Sequence, residues 1–228
     1  MELTFETDTD GPRRIAIANL VVAGWTARDR AALEHHIAEL AEHGVPAPSQ
    51  VPLYYRVSVD LLTGDDAIQV LGPDSSGEVE PVLVDDGTTL WLGLGSDHTD
   101  RKLEAHGVAI SKQACAKPLA GALWRFDDLR DRLDTLELSA WIRDDDAEGW
   151  TLYQEGTLGA IRPLGELIEA SPLGQGARMA PGTVMMCGTL GAQGGVRPAR
   201  QFRMELRDPA RERAMTHSYT ADWLPVIA

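Results

Sequence analysis

Basic side chains are scarce: 21 Lys and Arg stand against 35 Asp and Glu in a chain of 228 residues, a formal charge of -14 at neutral pH. A surface of that sign repels phosphate backbones, and no Lys/Arg cluster with interleaved aromatics offsets it. Nucleic acid and anionic membrane are therefore not expected partners, and a small molecule fits better. Cysteine is rarer still, and Cys115 and Cys187 lack the CxxC spacing of a zinc site or the pattern of a disulfide scaffold. Long apolar runs are missing too, since none nears the roughly 18 residues that span a bilayer. The opening Met1 to Asp8 is acidic where a secretory signal is basic. The expected compartment is the cytoplasm. A nucleophilic hydrolase built on Cys115 or Ser111 has neither an elbow motif nor triad spacing behind it.

What is present is a series of short apolar segments punctuated by Gly, Pro and Asp. Ile15 to Ala23 (IAIANLVVA) reads as one buried strand, and Asp29 to Glu42 as a helix with Ala32, Leu33, Ile37 and Leu40 at helical spacing, ended by Gly44. Further strands are expected around VPLYYRVSVDLL, Ala67 to Leu71, Leu136 to Ile142, Trp150 to Glu155, Thr183 to Met186, Gln201 to Leu206 and Ala214 to Tyr219. Short helical segments are expected at Phe126 to Thr135 and from Leu164. No βαβ unit repeats, so the expected fold class is α+β, mostly β, in a chain with no linker-like run to divide it.

The chemistry concentrates between Gly77 and Thr99. If Glu78-Val79-Glu80 lies on a strand, alternation turns both carboxylates to one face. A turn at Asp85-Asp86-Gly87 returns the chain, and the end of the second strand can bring Asp97 beside them. Three carboxylates meeting in a cleft raise one another's pKa unless a cation resolves the conflict, and oxygen-only ligation favours Mg²⁺, Mn²⁺ or Ca²⁺ over zinc. Composition alone gives roughly five acidic-x-acidic triplets, so the pair takes its meaning from its company. Part of that company is His36 and Glu39, three apart on one helix face, where a carboxylate can orient an imidazole that accepts a proton. A surface ion pair is the plainer account of the same two residues. Lys112 follows the acidic set, and an ammonium there can neutralise a substrate carboxylate or an oxyanion.

Taken in order, these pieces resemble the fumarylacetoacetate hydrolase superfamily: IANLVVAGWTARD, His36-Ile37-Ala38-Glu39, VPLYYRVSVDLLTGDD, GEVEPVLV, Ser96-Asp97-His98-Thr99-Asp100-Arg101, Lys112 and MAPGTVMMCGTLG. The chain is also similar to a prokaryotic group with a GSDHTDR motif, DUF2848. The resemblance implies a mixed β-sandwich or roll with a few short helices. Residues 1–50 would supply the opening strand and a lid-like helix, and 51–228 the catalytic roll, in a single domain 1–228. It implies that Glu78, Glu80 and Asp97 bind Mg²⁺ or Mn²⁺, with Ca²⁺ as a further choice. It places Arg101, Glu104 and Thr189 on the substrate side, and His36, Glu39 and Lys112, with Lys117 as the alternative lysine, in catalysis. The implied activity is on a small 2-oxo acid or β-diketone through a metal-stabilised enolate, by C–C hydrolysis, decarboxylation or dehydration, in a homodimer. The alternative is a metal-stabilised binding or scaffold protein of the same fold. The segment between Glu80 and Asp97 is shorter than in typical members, and the helix found there in them is missing.

Overall fold

The computed structural model describes residues 1–42, 46–145 and 149–227, leaving aside the side chains of Ala32, His35, His36, Glu39, Leu40 and Glu42. The longer strands are β1 (Glu2–Thr7), β2 (Gly11–Ala16), β3 (Asn19–Gly24), β4 (Leu53–Val57), β5 (Ala67–Leu71), β6 (Val79–Asp85) and β7 (Leu90–Ser96). After them come β8 (Ala122–Arg125), β9 (Glu137–Arg143), β10 (Thr151–Thr157), β11 (Thr183–Met186), β12 (Gln201–Asp208) and β13 (Arg213–Leu224). Eight of these form one sheet in the order β2-β1-β8-β7-β6-β11-β3-β4, and five form a second in the order β10-β9-β12-β13-β5. The helices are short: α1 (Arg30–Glu42), α2 (Arg101–Glu104), α3 (Val108–Gln113) and α4 (Leu164–Ala170). The fold is α+β and mostly β, as the sequence pattern predicts. Among the described residues no helix is long and apolar enough to cross a membrane.

Alternation along β7 explains how the layers meet. Leu90, Leu92 and Leu94 pack in one core with Leu138, Ala140, Phe202 and Met204 of the second sheet. Trp91 turns the other way, into a core with Phe5, Leu20, Val22, Val82 and Val184 inside the curl of the first sheet. Gly95 lies on that inner face, where an added Cβ would come within 2.8 Å of both Leu119 and Val82. The side chains packed over Gly95 thus leave no room for a Cβ unless they shift.

The β6-β7 hairpin runs in register from Asp85 opposite Leu90 to Val79 opposite Ser96. Its turn is organised by Asp86. Oδ1 accepts from the backbone N–H of Thr88 (2.7 Å) and Thr89 (2.6 Å), and Oδ2 accepts from Trp91 Nε1 and Arg13 Nη1, both at 2.9 Å. No helix interrupts the hairpin.

One expected strand is two. The run from Ile15 to Ala23 breaks at Ile17 and Ala18, because Ile17 N–H bonds to Met1 O (2.8 Å) while Ala18 and Asn19 both donate to Gly182 O (2.8 and 3.1 Å). The chain leaves the β1-β2 hairpin there and enters the opposite end of the sheet, between β11 and the edge strand β4. Asn19 is the one polar residue of the run, and Ile15 and Ile17 before it and Leu20 to Ala23 after it are all buried, so the pattern reads as one strand. The expected segment at Phe126–Thr135 forms successive 3-10 turns, and Gly44 lies outside the described residues.

Candidate metal and active site

Glu78 precedes β6 by one residue and Asp97 follows β7 by one. Asp97 N–H donates to Glu78 O at 3.0 Å, so the ladder continues past both strand ends and sets these two residues opposite each other. Glu80, two residues on, shares their face. One carboxylate oxygen from each of Glu78, Glu80 and Asp97 lies within 4.8 Å of the other two. Glu80 is 2% exposed and Asp97 fully buried.

Three cations answer the three anions. Lys112, on α3, donates to Asp97 Oδ2 in a close contact and lies 3.9 Å from Glu78 Oε2. Lys117 Nζ is 3.2 Å from Asp97 Oδ1 and donates to the carbonyls of His98 (2.6 Å), Lys112 (2.6 Å) and Cys115 (3.1 Å). Arg101, at the start of α2, pairs through Nη2 with Glu78 (3.1 Å) and through Nη1 with Glu104 (3.0 Å), while Nε donates to Ser76 Oγ (2.7 Å). The α2 turn is held by its N-cap Asp100, whose carboxylate accepts from Leu103 N–H at 2.9 Å. The closing turn supplies Gly188, whose N–H donates to Glu80 Oε2 at 2.7 Å, and Thr189, whose hydroxyl donates to Val79 O at 2.7 Å. Gly188 has φ +93°, and a Cβ there would lie 1.7 Å from Thr26 Oγ1, so only glycine lets this N–H reach Glu80.

The electrostatics separate the two buried acids. Burial, followed by the charges of Asp97 and Glu78, raises the pKa of Glu80 well above the usual carboxylate range. Burial would raise Asp97 as well, but the ammonium groups of Lys112 and Lys117 outweigh it and hold Asp97 at about 2. Burial pulls Lys112 down and the surrounding carboxylates, Asp97 first, more than restore it, so it stays protonated. Burial lowers Lys117. Without a cation the site therefore holds its proton on Glu80 and its negative charge on Asp97.

The residues present fit a hard divalent cation. The ligand atoms are all carboxylate oxygens, and Asp97 Oδ1 accepts no hydrogen bond despite its closeness to Lys117. The carboxylates of Glu78 and Glu80 also open onto a cleft of about 940 Å³, lined by Arg101, Lys112, Gln154 and Thr189 among others.

Of the residues named from sequence, Glu78, Glu80, Asp97, Arg101, Glu104, Lys112 and Thr189 come together here, with Lys117 directly behind Asp97. His36 and Glu39 lie on α1, and their side chains fall outside the described residues. Cys115 and Ser111 are both buried away from the cleft. Burial pushes the Cys115 thiol up to about 11, and Ser111 donates to Val108 O at 2.8 Å, so neither offers a nucleophile.

Sequence reasoning missed the layer behind the carboxylates. His98 is 1% exposed, with Nδ1 2.9 Å from Tyr219 OH and Nε2 2.9 Å from Ser75 Oγ. Tyr219 also bonds Ser96 Oγ (2.8 Å), which accepts from Glu78 N–H at 3.2 Å. Burial, then Lys117 and Arg101, push His98 down to about 3, so it is a neutral ring bracing the segment that carries Asp97. Gln154 was missed too. Its side chain accepts from Val79 N–H (3.0 Å) and donates to Thr189 Oγ1 (2.8 Å) and Leu190 O (2.6 Å), tying β6 to the closing turn. A signal for the lysines was present. The sequence has only Lys102, Lys112 and Lys117, and two of these three are buried at the carboxylates.

A sequence profile described as "Protein of unknown function (DUF2848)" matches residues 23–219. No curated protein sequence matches the chain. Among solved structures, the apo form of 2-keto-3-deoxy-D-arabinonate dehydratase aligns with a TM-score of 0.63 at 14% identity, over 95% of this chain and 78% of that one. A structure of that dehydratase complexed with magnesium and 2,5-dioxopentanoate gives 0.60 at 14% identity, over 95% and 79%. The 4-oxalocrotonate decarboxylase from Pseudomonas putida G7, complexed with calcium and acetate, gives 0.52 at 15% identity, over 90% and 79%. The likeness is one of fold, and the fold is that of the fumarylacetoacetate hydrolase superfamily.

Proposed function

The chain belongs to the DUF2848 family, and from its carboxylate site we propose that it is a divalent-cation-dependent enzyme acting on a small 2-oxo acid or β-diketone. The observation that carries this reading is the meeting of Glu78, Glu80 and Asp97 within 4.8 Å beneath a substrate-sized cleft that Lys112 also lines. Glu78, Glu80 and Asp97 would hold the cation, with Mg²⁺ or Mn²⁺ as first choices and Ca²⁺ as the third. Bound there, the ion would supply a Lewis acid able to stabilise an enolate as it forms.

The chain's own groups have separate tasks. Lys112 keeps a positive charge at the cleft floor, where it attracts the substrate carboxylate and favours charge developing on a neighbouring oxygen. Arg101, braced by Glu104 and Ser76, fixes the Glu78 carboxylate. Gly188 N–H orients Glu80, and Gln154 and Thr189 fix the turn that carries that N–H. Glu80 would have to give up its proton to serve as a ligand, so cation binding would release a proton and weaken in acid. His36, oriented by Glu39, is proposed as the group that moves a proton or activates water from α1. The dehydratase and decarboxylase neighbours favour lyase chemistry over C–C hydrolysis, because neither of their reactions needs an activated water nucleophile.

The test is a panel of acylpyruvates, oxaloacetate and sugar-derived 2-oxo acids, each assayed with Mg²⁺, with Mn²⁺ and after EDTA. Cation-dependent consumption of one class, lost in His36→Ala if the dyad assignment holds, is the expected result. Consumption that survives EDTA unchanged contradicts the reading.

A further inference from the structure

We propose that Trp25 and Tyr55 form a specificity wall selecting a 2-oxo acid or β-diketone whose far end is apolar and flat, in preference to a polyhydroxylated one. The inference rests on the reading of the preceding subsection and adds the identity of the substrate's other half.

The first observation is conformational. Trp25 has φ +61°, in the left-handed region that bulky L residues rarely adopt, and it directly follows Gly24 at the end of β3. Local backbone preference would put glycine there, so an indole held in that conformation at the cleft wall points to a use for the ring. The second is how the ring is held. Trp25 Nε1 donates to Tyr55 OH at 3.2 Å, and Gly24 is packed so closely on Tyr55 that an added Cβ would lie 3.0 Å from the phenol ring. The two rings are thus fixed as a pair by adjacent strands, and the indole N–H is engaged by the Tyr55 oxygen. The third is position. Lys112 Nζ is 5.9 Å from the centre of the Tyr55 ring while bonded to Asp97, so the aromatic pair begins one side chain away from the carboxylates.

Leu33, Leu190 and Val196 continue the cleft lining as apolar surface. Gln154 and Thr189, the polar side chains nearest the closing turn, already bond to the backbone and to each other. Apart from Glu78, Glu80 and Lys112 at its floor, the charged groups of the cleft come from a single segment, Arg101 to His106. Against the wall of Trp25, Tyr55, Leu33, Leu190 and Val196, a tail bearing hydroxyls would lose water with little beyond the Tyr55 hydroxyl to replace it, whereas a phenyl or alkyl tail would exchange water for ring contact.

The test is calorimetric binding of two acids sharing one head group, 4-phenyl-2-oxobutanoate and 2-oxogluconate, in the presence of Mn²⁺. Wild type, Trp25→Gly and Trp25→Phe are compared. Glycine accepts the φ of position 25 without strain, so Trp25→Gly removes the ring while sparing the backbone, and its thermal unfolding checks that the fold is kept. The wild type should bind the phenyl acid roughly tenfold or more tightly than the sugar acid. Trp25→Gly should weaken the phenyl acid roughly tenfold and leave 2-oxogluconate unchanged, and Trp25→Phe should keep the preference. Equal, Mn²⁺-dependent affinities for the two acids, or a Trp25→Gly protein with the wild-type preference, overturn this inference alone. Absence of Mn²⁺-dependent binding by either acid overturns the proposed function and this inference with it.

Discussion

Lys112 is the residue on which the charge balance of the site turns. Its ammonium contacts Asp97 and stands 3.9 Å from Glu78, in a pocket that excludes most water. Removing one member of a buried pair leaves the other uncompensated, which costs more than the pair itself contributes. Lys112→Met, nearly isosteric, is therefore expected to lower the unfolding free energy of cation-free protein by about 3 to 5 kcal/mol and to abolish turnover. Urea unfolding in EDTA measures the first effect, and unchanged stability would show that Asp97 draws its compensation from Lys117 alone. His98 belongs at the same scale. Its neutral ring is locked between Ser75 and Tyr219, so it braces Asp97 and carries no proton traffic.

At the scale of elements, the β6-β7 hairpin sets the three carboxylates, and its turn sets the hairpin. Asp86 accepts five hydrogen bonds, two from Thr88 and one each from Thr89, Trp91 and Arg13, and Asp86→Ala should cost about 2 kcal/mol. Burial would raise the Asp86 carboxyl, but hydrogen bonds from Trp91 and the turn N–H groups lower it from 3.8 to about 2. A depressed folded-state pKa makes this contribution complete above about 3.8 and lost as pH falls through about 2. The stability gap between wild type and Asp86→Ala should be flat above pH 5 and close towards pH 2, and a gap that stays constant into acid would contradict the assignment.

The hairpin was legible in sequence because its determinants are local: alternation, an Asp-Asp-Gly turn and paired glycines in Trp91-Leu92-Gly93-Leu94-Gly95. The carboxylate set and the Gly188-Thr189 turn were legible through the order of motifs. The partners of His98 were not, since Ser75 and Tyr219 lie 23 and 121 residues from it and only folding brings them together. The left-handed backbone of Trp25 was equally hidden, because it arises from the exit of β3 past Tyr55. The break at Ile17 and Ala18 escaped for a related reason: hydrogen bonds to Met1 and Gly182 end the strand, and the lone Asn19 is the only polar residue in the run to mark the place.

At the scale of the whole molecule, two sheets and a closing turn hold a cluster of like charges that a cation-free protein tolerates by keeping Glu80 protonated. This makes Glu80→Gln the most direct probe of the central claim, because a neutral amide imitates the protonated acid in the cation-free fold yet removes an anionic ligand. The decisive measurement is isothermal titration of Mn²⁺ into wild type and Glu80→Gln, with thermal unfolding of both in EDTA. The wild type should show one tight site, and Glu80→Gln should lose Mn²⁺ affinity although its cation-free melting temperature does not fall. Wild-type Mn²⁺ affinity in Glu80→Gln would contradict the central claim.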